Sequence, residues 1–85
     1  MLTEYIDAAM KHGKYEILED DKSYYGEIPE CPGVWANERT LAECEKDLRG
    51  ALEGWIMLGL KHGAELPVID GIDINMHEDA ALWAD

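Results

Sequence analysis

Basic residues are scarce in this sequence, which has 7 lysines and arginines against 19 aspartates and glutamates and a formal net charge of −12. Affinity for nucleic acids depends on basic side chains that neutralise phosphates. Arg39 and Arg49 are the only arginines, and the basic residues lie far apart along the chain. We therefore expect no direct binding of nucleic acid. An acidic surface attracts a basic protein partner, or it serves solubility alone.

Long apolar runs and export signals are also missing. The sequence has no run of about 18 apolar residues, which excludes a transmembrane helix. It begins with Met1, Leu2, Thr3 and Glu4, and it has neither the basic start nor the apolar core of a secretory signal. We expect a cytoplasmic protein that is not bound to a membrane.

Cysteine and histidine are too few for an obvious metal or disulfide framework. Cys31 and Cys44 form no C-x-x-C pair, and reduced thiols are expected. Together with His12, His62 and His77 they are the candidate metal ligands, but no pair has the close spacing of a zinc site. No basic neighbour would lower the pKa of Cys31, so we interpret it as an ordinary loop thiol. We expect neither a metal nor a cofactor.

The densest group of carboxylates lies at Glu19, Asp20 and Asp21. A nuclease would need clustered carboxylates to hold two divalent ions. This group falls in a predicted hairpin turn, where charge is usually solvated. We expect a protein without catalytic residues. A remnant metal-dependent nuclease stays an alternative, and it predicts RNA cleavage with Mg²⁺ or Mn²⁺.

The length and the local patterns of the sequence predict one small domain that contains both helices and strands. Helical spacing predicts a first helix over residues 3–12, with Thr3 as N-cap and Gly13 at the C′ position, where a positive φ is favoured. Turn signals and alternating apolar residues predict strands over residues 14–19, 23–28 and 34–37. Tyr25 and Trp35 then belong to strand faces that serve either as core or as interface.

A long helix follows, from a capping box at Thr40-Leu41-Ala42-Glu43 to about residue 62. The Thr40 hydroxyl would accept from the Glu43 amide, and the Glu43 side chain would reach the Thr40 amide. Gly63 ends the helix. Gly50 and Gly54 lie on the polar side and are either neutral surface glycines or a flat spot where another backbone approaches. The opposite side carries an apolar stripe of Leu41, Cys44, Leu48, Leu52, Trp55, Ile56 and Leu60.

Beyond the long helix, residues 67–74 predict a turn and a fourth strand with Ile72 and Ile74 facing inward. Residues 77–85 form an acidic tail that carries Leu82 and Trp83. This order of elements predicts an α+β fold in which the long helix packs on one face of a mixed sheet. The first helix or a partner chain would cover the other face.

Residues 24–35 place an aromatic pair, a glycine, an acidic strand end and a Pro-x-x-Pro-Gly turn in one strand-turn-strand unit. Together with the capping box of the long helix, this order resembles the HicB-like antitoxin family over about residues 14–74. The residues that match the family pattern are Tyr25, Gly26, Glu27, Ile28, Pro29, Pro32, Gly33, Thr40, Leu41 and Glu43.

The resemblance implies a truncated RNase H-like fold, β-β-β-α-β, to which this chain adds the helix over residues 3–12. Members of the family pair with small basic toxins that cleave mRNA (HicA-like proteins), block them by direct contact, and form dimers or higher oligomers. Many carry a C-terminal DNA-binding domain. Because this sequence ends near Asp85, we expect it to lack that domain.

The resulting hypothesis is an antitoxin or a regulatory relative that covers a basic partner by steric and electrostatic occlusion. The candidate partner-binding residues are Asp20, Tyr25, Glu27, Glu30 and Trp35. The alternative is a structural module without a toxin, in which the long helix or an open strand edge pairs two copies.

Overall fold

The computed structural model describes residues 2–75, and the predicted tail over residues 77–85 lies outside that range. It confirms an α+β fold, and the first five predicted elements form in the expected order, each within two residues of its predicted bounds. The elements are α1 (Leu2–Lys11), β1 (Lys14–Ile17), β2 (Tyr24–Glu27), β3 (Trp35–Glu38) and α2 (Leu41–Lys61). Neither helix is long and apolar enough to cross a membrane.

The three strands form one antiparallel sheet in the order β1-β2-β3. Tyr15 pairs with Gly26, and Gly26 pairs with Ala36, so these three residues share the face on which α2 packs. The predicted apolar stripe of α2 fills the space beneath this face. Its fully buried members are Cys44, Leu48, Leu52 and Ile56.

Gly26 lies where the sheet, the Tyr15 ring and α2 meet closely. A Cβ atom there would lie 2.7 Å from a ring carbon of Tyr15 and 3.2 Å from the sulfur of Cys44. The Cys44 thiol in turn lies 3.6 Å from the carbonyl oxygen of Ala36. The absence of a side chain at position 26 therefore leaves the space that the Tyr15 ring and the Cys44 sulfur occupy.

The ends of the helices follow the predictions only in part. At α2, the Thr40 hydroxyl accepts from the Glu43 amide at 3.1 Å as predicted, but it also donates to the Glu43 carboxylate at 3.0 Å. The N-cap prediction for Thr3 is wrong, because α1 already begins at Leu2.

The C-terminal end of α1 also differs from the prediction. Gly63 has the expected positive φ of 68° after α2, but Gly13 is not among the residues with a positive φ. A Cβ at position 13 would lie 3.0 Å from the carbonyl oxygen of Met10 and 3.2 Å from the Tyr15 hydroxyl. The small size of Gly13, and not its φ, therefore fits it to this position.

The predicted fourth strand is wrong within the described residues. Ile69 and Ile72 exchange backbone hydrogen bonds of 3.2 and 2.8 Å, and they form an isolated bridge. Between them Asp70 and Gly71 have φ values of 50° and 78°, as in the tight turn that an Asp-Gly pair favours. The chain reverses there, and the side chain of Asn75 fastens it to the backbone of Leu66 instead of to the sheet. The inward packing of Ile72 and Ile74 is nevertheless confirmed.

Helix α1 packs against α2 and not against the sheet. Its Tyr5 is fully buried, and the Tyr5 hydroxyl donates to the carbonyl oxygen of Pro67 at 2.7 Å. Burial raises the pKa of Tyr5 to about 12. The first helix therefore covers the helical side of the molecule, and the second face of the sheet is left open.

Candidate functional site

The face of the sheet turned away from α2 carries the side chains at the alternate strand positions. Neither helix packs against this surface, which we call the open face. The antiparallel register brings residues from all three strands together on it. They are Lys14, Glu16, Tyr25, Glu27, Trp35 and Asn37.

An aromatic pair dominates the open face. The rings of Tyr25 and Trp35 are stacked, with centroids 6.1 Å apart and planes inclined by 21°. Trp35 is 56% exposed, whereas its neighbour Ala36 points inward and is buried. The sequence allowed this aromatic face to be either core or interface. The structure shows that it is exposed and does not belong to the core. Exposed tryptophan and tyrosine are enriched at the energetic centres of protein interfaces.

Acidic side chains surround the aromatic pair. Partial burial, and then the charges of Glu27 and Glu16, raise the pKa of Tyr25. Lys14 lies opposite Glu27 in the register and is the one cation that the described strands place on this face. The open face is therefore apolar at its centre and acidic in its surroundings, which is the arrangement that suits a basic partner.

The loop between β2 and β3 forms one wall of a recess of about 140 Å³ beside the aromatic pair, with Pro29 and Pro32 in the wall. Two consecutive turns fix this loop: the Cys31 amide donates to Ile28 at 2.9 Å, and the Val34 amide donates to Cys31 at 3.1 Å. The wall of the recess is therefore held by the backbone hydrogen bonds of the loop itself.

The structure brings together three of the five predicted partner-binding residues, namely Tyr25, Glu27 and Trp35. Glu30 lies in the loop after β2, and its carboxylate accepts a hydrogen bond from His12 at 2.9 Å. Asp20 is exposed in the turn between β1 and β2, at the opposite end of β2 from that loop.

Three residues of the open face were not predicted as part of the site. Strand alternation in β1 places Lys14 and Glu16 on this face, and that signal was present in the sequence. Alternation with Trp35 in β3 places Asn37 on the same face, but the sequence did not reveal its hydrogen bonds. Its side-chain amide donates to the Ser23 hydroxyl at 2.8 Å and to the Tyr24 carbonyl at 2.9 Å, and it thereby fastens β3 to the start of β2.

Two of the candidate catalytic and metal-binding residues, His12 and Asp21, have structural partners. Both ring nitrogens of His12 are bonded to carboxylates, to Glu30 at 2.9 Å and to Asp70 at 2.8 Å. Asp21 accepts from the Ser23 hydroxyl at 2.6 Å within its own turn. Between residues 2 and 75, no three histidine, cysteine or carboxylate side chains converge as metal ligands.

Cys31 lies in the loop between β2 and β3 and is a free thiol, in agreement with its interpretation as an ordinary loop thiol and not a nucleophile, but its burial was not predicted. Its side chain is fully buried and belongs to the hydrophobic core, although its backbone lies in a loop. Burial raises the pKa of the thiol to about 11, so the nucleophilic thiolate is disfavoured. Cys31 therefore anchors the wall of the recess from below.

Comparison with known proteins identifies the family of this chain and a solved structure with the same fold. The profile of the UPF0150-like family matches residues 4–67, which include most of α1 as well as the sheet and α2. The crystal structure of TTHA0281 from Thermus thermophilus superposes with a TM-score of 0.83, at 42% sequence identity, over 91% of this chain and 95% of that chain. No curated protein matches the sequence.

Proposed function

This chain belongs to the UPF0150-like family, and from that premise we propose that it is a HicB-like antitoxin or a regulatory relative that covers a small basic toxin. The toxin would be an mRNA-cleaving protein of the HicA-like kind. The chain would act by binding alone, without a catalytic step of its own. Binding would exclude RNA from the toxin by steric occlusion and by charge complementarity.

The stacked pair of Tyr25 and Trp35 on the uncovered sheet face is the observation that carries the proposal. Trp35 is more than half exposed and forms, with the stacked Tyr25 ring and the adjacent recess, a contiguous apolar surface of the kind that marks an interaction site. Aromatic side chains offer a large contact area at a low cost in conformational entropy. They would form the centre of the interface, and Glu16 and Glu27 would form its acidic rim.

Two further observations support the proposal. The net charge of −12 favours rapid encounter with a cationic protein. UPF0150-like proteins also occur in HicB-like, toxin–antitoxin contexts, in agreement with the resemblance of the strand-turn-strand motif and the capping box.

The direct test is a pull-down from the native host with the purified chain as bait, followed by binding measurements with the small basic protein that it recovers. We expect Trp35→Ala to weaken that binding by tenfold or more, since truncation of a central aromatic anchor costs about 2 kcal/mol or more. The recovered protein should cleave RNA, and the wild-type chain should suppress the cleavage.

Ile17→Ala is the matched control, because Ile17 is 55% exposed but lies on the other face, at the edge of the sheet. It should leave binding unchanged. Equal effects of the two substitutions, or recovery of no small basic protein, would contradict the proposal. RNA cleavage by the purified chain itself with Mg²⁺ or Mn²⁺ would instead favour the remnant nuclease.

A second candidate function is a self-associating module without a toxin. The observation that favours it is the outward side of α2, where Met57 is 70% and Leu58 is 59% exposed. A stable homodimer from a host that yields no basic partner would support this candidate.

A further inference from the structure

The recess beside the aromatic pair has a volume that suits one side chain. It measures about 140 Å³, whereas pockets for small-molecule ligands usually measure about 300–1,000 Å³. Apolar atoms of Pro29, Pro32 and Val34 form its walls, and Tyr25 and Trp35 complete them. A recess of this size therefore suits a single side chain of another protein better than a cofactor.

The charge of the recess is negative. Of the described residues that line it, Glu27 alone is charged at neutral pH. Glu30 belongs to the same loop, but its carboxylate is bonded to His12 at 2.9 Å. A side chain that enters the recess therefore meets one carboxylate and no cation in its wall, which favours a cationic side chain.

The register places Glu27 next to both aromatic side chains. Glu27 pairs directly with Trp35 across β2 and β3, and Tyr25 precedes it by two residues on the same face. Partial burial raises the pKa of Tyr25, and the charge of Glu27 and a hydrogen bond with it add to this effect. The Tyr25 hydroxyl therefore helps to position the exposed carboxylate, which has the capacity to accept further hydrogen bonds.

An aromatic ring beside a carboxylate is an environment that favours arginine over lysine. The guanidinium group is planar, stacks on aromatic faces and offers paired donors to a carboxylate, whereas the lysine ammonium is compact and strongly hydrated. Tryptophan is the aromatic residue that binds cations best, and the ring of Trp35 is exposed. The methylene stem of an arginine would lie along the apolar walls of the recess.

The arginines of the chain itself lie elsewhere. Arg49 donates to Asp7 at 3.1 Å. Arg39 lies beside Asp21, at the opposite end of β2 from the recess. The guanidinium group that suits the recess therefore comes from another molecule.

We propose that the recess beside Trp35 binds one arginine side chain of a protein partner, through stacking on the Trp35 ring and an ion pair with Glu27. The guanidinium group lies against the indole, and two of its N–H groups donate to the Glu27 carboxylate. Pro29 and Pro32 contact the methylene stem. The site deepens the proposed function and rests on it for one point, namely that the arginine belongs to a small basic toxin.

Occupation of the recess links binding to inhibition. Arginine is well suited to the recognition of nucleic-acid phosphates. An arginine that is stacked on Trp35 is withdrawn from the RNA-binding surface of its own protein. RNA and this chain therefore compete for the same guanidinium group, and a higher RNA concentration should relieve the inhibition.

Titration with capped peptides that carry one arginine between two glycines tests the site without a partner protein. The measurement is the change in the NMR chemical shifts of the Trp35 indole N–H and the Gly33 and Val34 amides. We expect these shifts to saturate. A peptide with citrulline, which has nearly the same shape without the charge, should bind at least about tenfold more weakly, because a charged hydrogen-bonded pair is lost. A lysine peptide should also bind more weakly than the arginine peptide.

Two substitutions separate the ring from the charge. Glu27→Gln keeps the size of the side chain and should weaken the arginine peptide at least about tenfold. Trp35→Leu keeps an apolar side chain without the aromatic face and should weaken it at least about threefold. Glu45→Gln is the matched control, because it removes the same charge at an exposed position of α2, on the other side of the sheet. It should change the affinity by less than about twofold.

Equal binding of the arginine and citrulline peptides overturns the proposal, as does the lack of a saturable shift at Trp35. Equal effects of Glu27→Gln and Glu45→Gln also overturn it, because the attraction would then come from the net charge alone. Thermal unfolding checks that each variant folds.

The peptide titration and the pull-down fail independently. A chain that binds the arginine peptide but recovers no small basic protein keeps its arginine site and loses the proposed function. A recovered toxin that needs Trp35, but whose affinity Glu27→Gln leaves unchanged, keeps the proposed function and overturns the arginine site.

Discussion

At the scale of single residues, His12 joins three segments that are distant in sequence. It directly follows α1. Its two ring nitrogens form hydrogen bonds with Glu30 in the loop after β2 and with Asp70 in the turn after α2. The hydrogen bonds with Asp70, and then with Glu30, raise the pKa of His12 above its ordinary value of 6.5. The protonated ring therefore stabilises the folded state.

This contact predicts a pH-dependent contribution to stability. Because the pKa of His12 is higher in the folded chain than in the unfolded chain, the contribution is complete below pH 6.5 and is lost as the pH rises through the folded value. Urea unfolding of wild type and His12→Gln should show a difference that narrows with rising pH. A difference that is constant from acid to alkaline pH would contradict this assignment.

Gly26 lies at a position where the core has no space for a larger side chain. Gly26→Ala should destabilise the fold by about 1–3 kcal/mol, the usual cost of overpacking a filled core, because the new methyl group meets the Tyr15 ring and the Cys44 sulfur. Urea unfolding measures the loss. The same substitution in a Tyr15→Leu background should cost less, and an equal cost in both backgrounds would rule out the clash with the ring.

At the scale of elements, α2 depends on its N-terminal cap. Thr40→Ala removes the acceptor for the Glu43 amide and should lower the free energy of unfolding by about 1 kcal/mol. Thr3→Ala is the matched control, because Thr3 lies inside α1 and is exposed. That change should be neutral or slightly stabilising in the same denaturation assay. Equal losses for the two variants would show that the cap is not responsible.

Each element also presents a different surface to solvent. The sheet presents aromatic and acidic side chains on its open face. A helix usually has one apolar side, and α2 carries a second apolar patch at Met57 and Leu58, away from the buried one.

At the scale of the whole molecule, net charge governs the proposed complex. Attraction between a chain of charge −12 and a basic protein is screened by salt, so that complex should weaken as ionic strength rises. Titration calorimetry with the recovered basic protein from low to high salt should show this loss of affinity. An affinity that does not change with salt would contradict charge complementarity.

The sequence alone determined the fold class, the order of the elements and the acidic character of the surface. These follow from local patterns: helical and alternating spacing, the capping box at Thr40, the turn residues and the count of charges. It also identified Tyr25, Glu27 and Trp35 as residues of interest, because strand alternation sets which side chains share a face.

Only the tertiary structure decided which face of the sheet stays uncovered, because that depends on where α1 docks. It decided that Cys31 belongs to the core and that Glu30 is held by His12, since both result from contacts across long sequence separations. It also decided that residues 69–72 form a turn, because there the backbone geometry favoured by Asp70 and Gly71 prevails over the alternating apolar pattern. Local patterns fix what each segment becomes, whereas the burial and partners of a side chain depend on the packing of the whole chain.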